Sequence, residues 1–262
     1  MSRLVSARVI GPLVVGIVVL VFWEGIVRGL EIRHYFLPSP GYIFHTLVDD
    51  WSMLAPALWV TLRITAEALL AAVVGGGLLA ILFAQSKWIE ASFYPYAIIL
   101  QVTPIVAIAP LIIVWVNDVH LSLLVCAWLV AFFPILSNTI LGLNSVDRNL
   151  VSLFELYGAS RWKTLIHLRL PAALPYFLAG LRISGGLALI GAVVAEFVAG
   201  SGGNASGLAF RILEAGYQLK VPRMFAALVL ISAAGILIFL ALSLLSHLLL
   251  RRWHESALDA ES

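Results

Sequence analysis

Met224-Phe-Ala-Ala-Leu-Val-Leu-Ile-Ser-Ala-Ala-Gly-Ile-Leu-Ile-Phe-Leu-Ala-Leu-Ser-Leu-Leu-Ser-His-Leu-Leu-Leu250 is the stretch that decides the fold. It contains no Asp, Glu, Lys or Arg, and a helix needs about 20 apolar residues to cross the hydrocarbon core of a bilayer. In lipid the backbone must satisfy its own hydrogen bonds, which leaves only helices and closed barrels. A barrel would show alternating segments of about ten residues, and the chain has none.

Outward from this run, charges punctuate the rest of the chain. Val9–Trp23 is uncharged and stays apolar past Glu24 to Val27; Ala68–Ala84 is uncharged and extends upstream through Ala57–Leu62. Ala91–Val116 and Val119–Val146 are separated only by Asn117 and Asp118, and Leu170–Ala195 is broken only by Arg182. These runs predict an all-α integral membrane protein with six spans near 9–29, 57–84, 92–116, 119–141, 174–199 and 223–249. The apolar part of the first exceeds the usual ~7–15 residues of a signal-peptide core, and no small-x-small cleavage pattern follows, so it reads as a retained helix.

Composition agrees. Of 262 residues, 62% are hydrophobic and 11% charged, with a net charge of only +2. An ordinary soluble domain carries about 25% charged residues. A soluble enzyme and a disordered chain are excluded, and no nucleic-acid partner is expected. The lone Cys126 rules out a disulfide framework, and no His, Cys or carboxylate cluster has metal-ligand spacing. No nucleophile has a partnered base, and no Gly-x-x-x-x-Gly-Lys-[Ser/Thr] loop occurs, so the chain carries no P-loop of its own. A single transmembrane domain over 1–262 is expected.

Lys and Arg orient the spans. Arg3, Arg8, Lys87, Arg148, Arg161, Lys163, Arg169, Arg251 and Arg252 fall on one side; the fewer Arg28, Arg33, Arg211, Lys220 and Arg223 fall on the other. The richer side is the cytoplasmic one, which puts both termini there. Outside lie Leu37-Pro38-Ser39-Pro40 with an interfacial stretch to Trp51, and a Gly-rich loop over 200–207 before a short helical patch at Leu208–Tyr217.

The sizeable cytoplasmic segment, 145–171, reads helix, stop, helix, stop. Asp147 caps a first helix and Gly158 ends it in the left-handed conformation. Ser160 caps a second helix from Arg161 to about Arg169, which Pro171 stops. Trp162, Leu165 and Ile166 share one face of it, as they would on a docking helix or on an amphipathic helix resting on lipid headgroups.

Gly158, nine residues and then Leu168-x-Leu170-Pro171 resembles the cytoplasmic EAA loop of binding-protein-dependent ABC importer permeases. The resemblance extends through Leu37–Pro40, Gln101-Val-Thr-Pro-Ile-Val-Ala-Ile-Ala-Pro110, Gly158–Trp162, Leu174–Arg182 and Ala195-Glu196, which are similar to the nitrate, sulfonate and taurine branch. The positions matching Glu-Ala-Ala are Ser152-Leu153-Phe154, so the acidic residue is missing there, and Glu155 lies further along the helix.

The resemblance implies the type I permease architecture in a bacterial inner membrane. It implies two copies of the chain, a separate ABC ATPase holding ATP and Mg, and a periplasmic or lipoprotein solute-binding protein; no cofactor is expected on this chain. The coupling loop would use Gly158, Ala159, Ser160, Trp162, Leu165, Leu168 and Pro171. The solute would be small and polar, of the sulfonate, taurine, nitrate or pyrimidine-precursor class.

Polar groups inside spans are costly and mark candidate path or gate positions: Arg63, Glu67, Gln101, Pro104 and Glu196. Arg63 and Glu67 are four apart and can pair, as a gate or as a structural ion pair. Glu196 is a gate, a docking residue or an interfacial carboxylate. Gln101, Thr103, Pro104 and Pro110 break up the third span, either for a solute passage or for a kinked helix contact. His120, Asn138 and Trp115 are further pore-lining candidates, Arg182 reads as a packing residue, and Gly75–Gly77 and Gly185-Gly186 as close helix contacts. An ion-coupled carrier or channel is the alternative transporter class, but it has no use for a shaped cytoplasmic loop; an integral membrane enzyme lacks its reactive residues.

Overall fold

The computed structural model describes residues 2–200 and 206–251, with side chains from Ile10 onward. Its elements are helices throughout the described residues: α1 (Ser2–Gly29), α2 (Pro40–Asp49), α3 (Trp51–Gln85), α4 (Lys87–Val102), α5 (Ile105–Val116), α6 (Val119–Asn144), α7 (Arg148–Leu156), α8 (Arg161–Thr164), α9 (Leu170–Ala199), α10 (Leu208–Tyr217) and α11 (Val221–Leu250). Among the described residues, five stretches are long and apolar enough to span a membrane: Ile10–Gly29, Trp51–Gln85, Val119–Asn144, Arg161–Ala199 and Val221–Leu250. The α4–α5 pair passes the same test when taken together and is bent by 101°, the geometry of a broken span or a re-entrant loop.

Two boundaries differ from expectation. The second span starts at Trp51, and α3 runs for 35 residues, about 50 Å, so its first turns rise above the hydrocarbon. The fifth does not begin near 174, and Pro171 does not stop the preceding helix. Residues 161–199 form one continuous 39-residue helix. A π-turn at Leu165–Arg169 lies at the junction: Leu170 N–H bonds back to Leu165 O, and Pro171, which has no N–H to give, follows directly at the base of α9.

The break in the third span falls at Thr103-Pro104. Both residues are extended, and Thr103 closes α4 through its N–H and hydroxyl on Ile99 O, at 3.1 and 2.6 Å. Pro110, also expected to disturb the span, is simply contained in α5. Asn117 ends α5 in the left-handed conformation, and Asp118 caps α6 by accepting from Leu121 N at 2.7 Å, so two residues suffice to turn the chain.

Helix α6 lies at the centre, between α3 and α9. Lipid provides no hydrophobic drive between helices, so contact depends on small residues that let backbones approach. A Cβ on Gly180 would sit 2.6 Å from Pro134 O, one on Gly142 2.8 Å from Ala173 Cα, and one on Gly191 2.8 Å from Ala127 Cα. Of the expected packing glycines, Gly76 abuts Ile135 and Gly185 abuts Leu242, whereas Gly77 and Gly186 face open space. Ser184 adds a buried hydroxyl bond to Ala131 O at 2.6 Å. By contrast, α1 is exposed along Ile10–Phe22 and is held near its C-terminal end, where Val27 is buried, Trp23 meets the Phe225 ring and Glu24 accepts from Gly41 N at 2.9 Å.

Candidate functional site: the broken span and the cytoplasmic loop

The bend at Thr103-Pro104 opens a cavity of about 330 Å³. Its walls are Leu100–Ile105 and Ile108 from the broken pair, Leu129, Val130 and Pro134 from α6, and Leu187 from α9. These α6 and α9 residues sit near the middle of their helices, so the cavity lies at mid-depth. Gln101 and Thr103 are its polar side chains; Gln101 is exposed to it, and no protein group among the described residues holds its amide. The site is therefore mostly apolar, with a few polar groups placed at one end.

The other span residues are distributed differently. Arg63 donates to Glu67 Oε1 at 2.8 Å, and His120 Nε2 meets Glu67 Oε2 at 2.7 Å. This triad joins α3 to the first turn of α6, away from the bend. Sequence spacing gave the Arg63–Glu67 pair but not His120, which arrives from a distant segment.

Glu196 is not an interfacial carboxylate: it is 2% exposed. Thr61 donates its hydroxyl to Oε1 at 2.8 Å, and Ala209 N–H donates to Oε2 at 3.0 Å. Thr61 Oγ1 also accepts from Leu208 N at 2.9 Å. A Cβ on Gly207 would collide with the Glu196 carboxylate, so only glycine lets the chain pass there. Glu196 and Thr61 thus pin the start of α10 to α9 and α3. Nearby, Arg223 makes a two-pronged pair with Asp50, Nε to Oδ2 at 2.6 Å and an η nitrogen to Oδ1 at 2.9 Å, tying α11 to the α2–α3 junction. Residues 201–205 of the expected flexible loop lie outside the described residues.

Asn138 donates to Pro134 O at 2.9 Å, Trp115 is an exposed side chain of α5, and Arg182 turns to α11, donating to Ser246 Oγ at 3.1 Å. None of the three lines the bend.

In the 145–171 loop, Asp147 accepts from Asn149 N at 2.8 Å to start α7. Gly158, at φ +67°, reverses the chain; its N–H bonds Glu155 O, and Ala159 N–H bonds Phe154 O, both at 2.9 Å. Ser160 Oγ accepts from Lys163 N at 3.3 Å and starts α8. The face expected to be shared by Trp162, Leu165 and Ile166 is divided. Leu165 is buried in the core with Phe83, Leu143 and Ala173, whereas Trp162 is 63% exposed, and Ile166, Leu156 and Tyr157 are exposed too. Leu168 is half-buried, and Pro171 lies at the base of α9. Glu155, an exposed residue, lines a cavity of about 890 Å³ together with Lys87, Glu90, Arg148 and Arg169. No cluster of His, Cys, Asp and Glu able to hold a metal exists among the described residues.

Residues 72–255 match the family described as binding-protein-dependent transport system inner membrane component. A probable ABC transporter permease of Haemophilus influenzae is 32% identical over 92% of this chain and 96% of its own. The formylaminopyrimidine transport permease of Halalkalibacterium halodurans is 33% identical over 94% and 96%. A putative aliphatic sulfonates transport permease of Bacillus subtilis is 31% identical over 91% and 86%. The crystal structure of an amino acid ABC transporter superposes with a TM-score of 0.62 at 20% identity, covering 80% of this chain and 98% of that one, and shares the fold. The chain belongs to the binding-protein-dependent ABC importer permeases, as a multi-pass inner membrane component.

Proposed function

We propose that two copies of this chain form the membrane passage, with both termini in the cytoplasm and the broken α4–α5 span lining the route at mid-depth. A separate ATPase, holding ATP and Mg, docks on the 145–171 loop of each copy; this chain performs no chemistry. A solute-binding protein delivers cargo at the outer face formed by α2, α10 and the start of α11. Relatives are named for formylaminopyrimidine, aliphatic sulfonate, taurine and nitrate transport, and a small polar solute of these classes is the cargo.

The loop geometry supports the coupling role. Its exposed apolar residues, Leu156, Tyr157, Trp162 and Ile166, project from a turn fixed by Gly158 and Ser160. Because α8 runs without interruption into α9, a push on Trp162 is transmitted along one 39-residue rod to Glu196 and the outer cap. Closure of the ATPase pair then tilts α9 against α6, and the cavity at the bend changes sides. The observation that carries this reading is the mid-depth break of a span, unusual in lipid unless it lines a cavity.

The test is crosslinking in a Cys126→Ser background. Trp162→Cys should crosslink to the co-expressed ATPase, and Trp115→Cys, on α5 away from the loop, should not. Absence of an ATPase adduct at the loop would refute the docking.

A further inference from the structure

The geometry points to a binding site for an ammonium–phosphate zwitterion, the headgroup chemistry of phosphatidylethanolamine, in the cavity of about 890 Å³ between α4 and α7. Helix α4 lines this cavity with Lys87, Glu90 and Tyr94, and α7 lines it with Arg148, Ser152 and Glu155; Arg169, just before α9, completes the wall. A smaller cavity of about 290 Å³ shares Lys87, Glu90, Glu155 and Arg169 with it and adds Arg161. Charges of both signs thus surround one space, yet they do not close on each other. Among the described residues, Lys87, Glu90, Arg148, Glu155 and Arg161 join no ion pair, and Arg169 donates one N–H to Ala84 O at 3.2 Å. Lys87 and Glu90 are three residues apart, near enough to pair, and remain separate. Arg148 and Glu155 are seven residues apart on α7, about 10 Å along its axis.

The orientation of α7 adds a second observation. Arg148, Ser152 and Glu155 recur at spacings of four and three, so the helix lines the cavity with its charged face, while Leu150 and Leu153 on the opposite face are exposed. A helix on a water-facing surface does the reverse and turns its apolar stripe inward. The depth of the cavity names the surroundings. The long apolar helices α3 and α6 end at Gln85 and Asn144, both in these walls, and the neighbouring Trp88 is exposed, which sets the cavity at a membrane–water interface. Basic pockets between span ends at this level hold phosphorylated headgroups. A purely anionic group would satisfy the cations but meet two unpaired carboxylates. The zwitterion answers both: its phosphate accepts from the Arg148 and Arg169 guanidinium groups and from Lys87, and its ammonium donates to Glu90 and Glu155. The apolar residues proposed to meet the ATPase, Leu156, Tyr157, Trp162 and Ile166, lie outside both walls.

The test uses the full complex, with ATPase and binding protein, purified in detergent. It is offered equal amounts of phosphatidylethanolamine, phosphatidylcholine and phosphatidylglycerol with the same acyl chains, and retained lipid is counted by native mass spectrometry. Phosphatidylethanolamine should be retained about tenfold or more over phosphatidylcholine, whose methylated nitrogen carries the charge but has no N–H to give. Lys87→Gln with Arg148→Gln should abolish the preference, and Glu90→Gln with Glu155→Gln should transfer it to phosphatidylglycerol. Both variants should assemble, because none of these side chains is in an ion pair. Soluble phosphoethanolamine, added as a competitor, separates the two sources of the group: displacement of the lipid shows that the free zwitterion suffices, and its failure to displace assigns the site to the membrane-held headgroup. Equal retention of the three lipids, a wild-type preference for phosphatidylglycerol, or an unchanged preference in either double variant overturns the assignment. So does loss of the ATPase from the Lys87→Gln, Arg148→Gln complex, which would make this wall an ATPase contact. No transport is read, so the outcome is separate from that of the import mechanism.

Discussion

Replacing Glu196 by leucine should loosen the start of α10 from α9 and α3. The carboxylate accepts from Thr61 at 2.8 Å and from Ala209 N–H at 3.0 Å, and all of this is buried. Leucine leaves Ala209 N–H without a partner, at about 1–3 kcal/mol, while the Thr61 hydroxyl keeps Ala57 O at 3.3 Å. For a chain of this size 1 kcal/mol moves the midpoint by about 2–4 °C, so Glu196→Leu should melt roughly 2–12 °C early. Glutamine behaves differently. Its carbonyl accepts from Ala209 N–H, its amide donates to Thr61 Oγ1, and the Thr61 hydroxyl turns to Ala57 O, already 3.3 Å away. Glu196→Gln should therefore cost about 1 kcal/mol or less. Cys126, the lone cysteine and fully buried, supplies the assay: a thiol-reactive dye reports unfolding in detergent with no added label. A leucine variant melting within about 2 °C of wild type, or a glutamine variant as unstable as leucine, would refute the assignment.

Three further outcomes are expected. Gly158→Val has space around its Cβ but not the conformation, since valine resists φ +67° at a cost of about 1–3 kcal/mol; together with Trp162→Ala it should insert and assemble yet lose solute-stimulated ATPase activity and uptake, and wild-type levels of both would dismiss the loop as the coupling element. Gly180→Val, forced against the Pro134 carbonyl, should abolish stable expression, while Gly186→Ala, with nothing within 4 Å, should be silent; equal expression of the two would contradict the α6–α9 packing. Glu67→Gln removes the negative charge that Arg63 and His120 share and leaves them a single carbonyl oxygen, and should lower expression more than the Arg63→Gln, Glu67→Gln double change does, whereas intact expression with abolished uptake would mark the triad as part of the path.

Charge spacing was sufficient for the spans because ionised groups cannot stay in lipid without partners, so their positions report the membrane directly. Cap residues were legible for a similar reason: Asp147, Gly158 and Ser160 act on their own backbone within a few residues. Gln101 and Pro104 also signalled the break, because a proline pair and an amide in an apolar run have little other use. What stayed hidden depends on register or on distance. The π-turn at Leu165–Arg169, inside a helix that continues past Pro171, leaves no mark in composition, and neither does the burial of Leu165 next to an exposed Ile166. Glu196 and His120 found their partners 135 and 53 residues away, separations that no local pattern reveals.

The account rests on the bend at Thr103-Pro104 being a passage that changes sides under ATP. Gln101→Cys, in a Cys126→Ser background, places one thiol in the cavity wall of the assembled complex. Labelling rates with a membrane-impermeant maleimide, added from each side in turn, should switch on nucleotide trapping: the thiol reacts from one side without nucleotide and from the opposite side with ATP and vanadate. Equal rates in the two states, or a thiol reached from neither side, would contradict it.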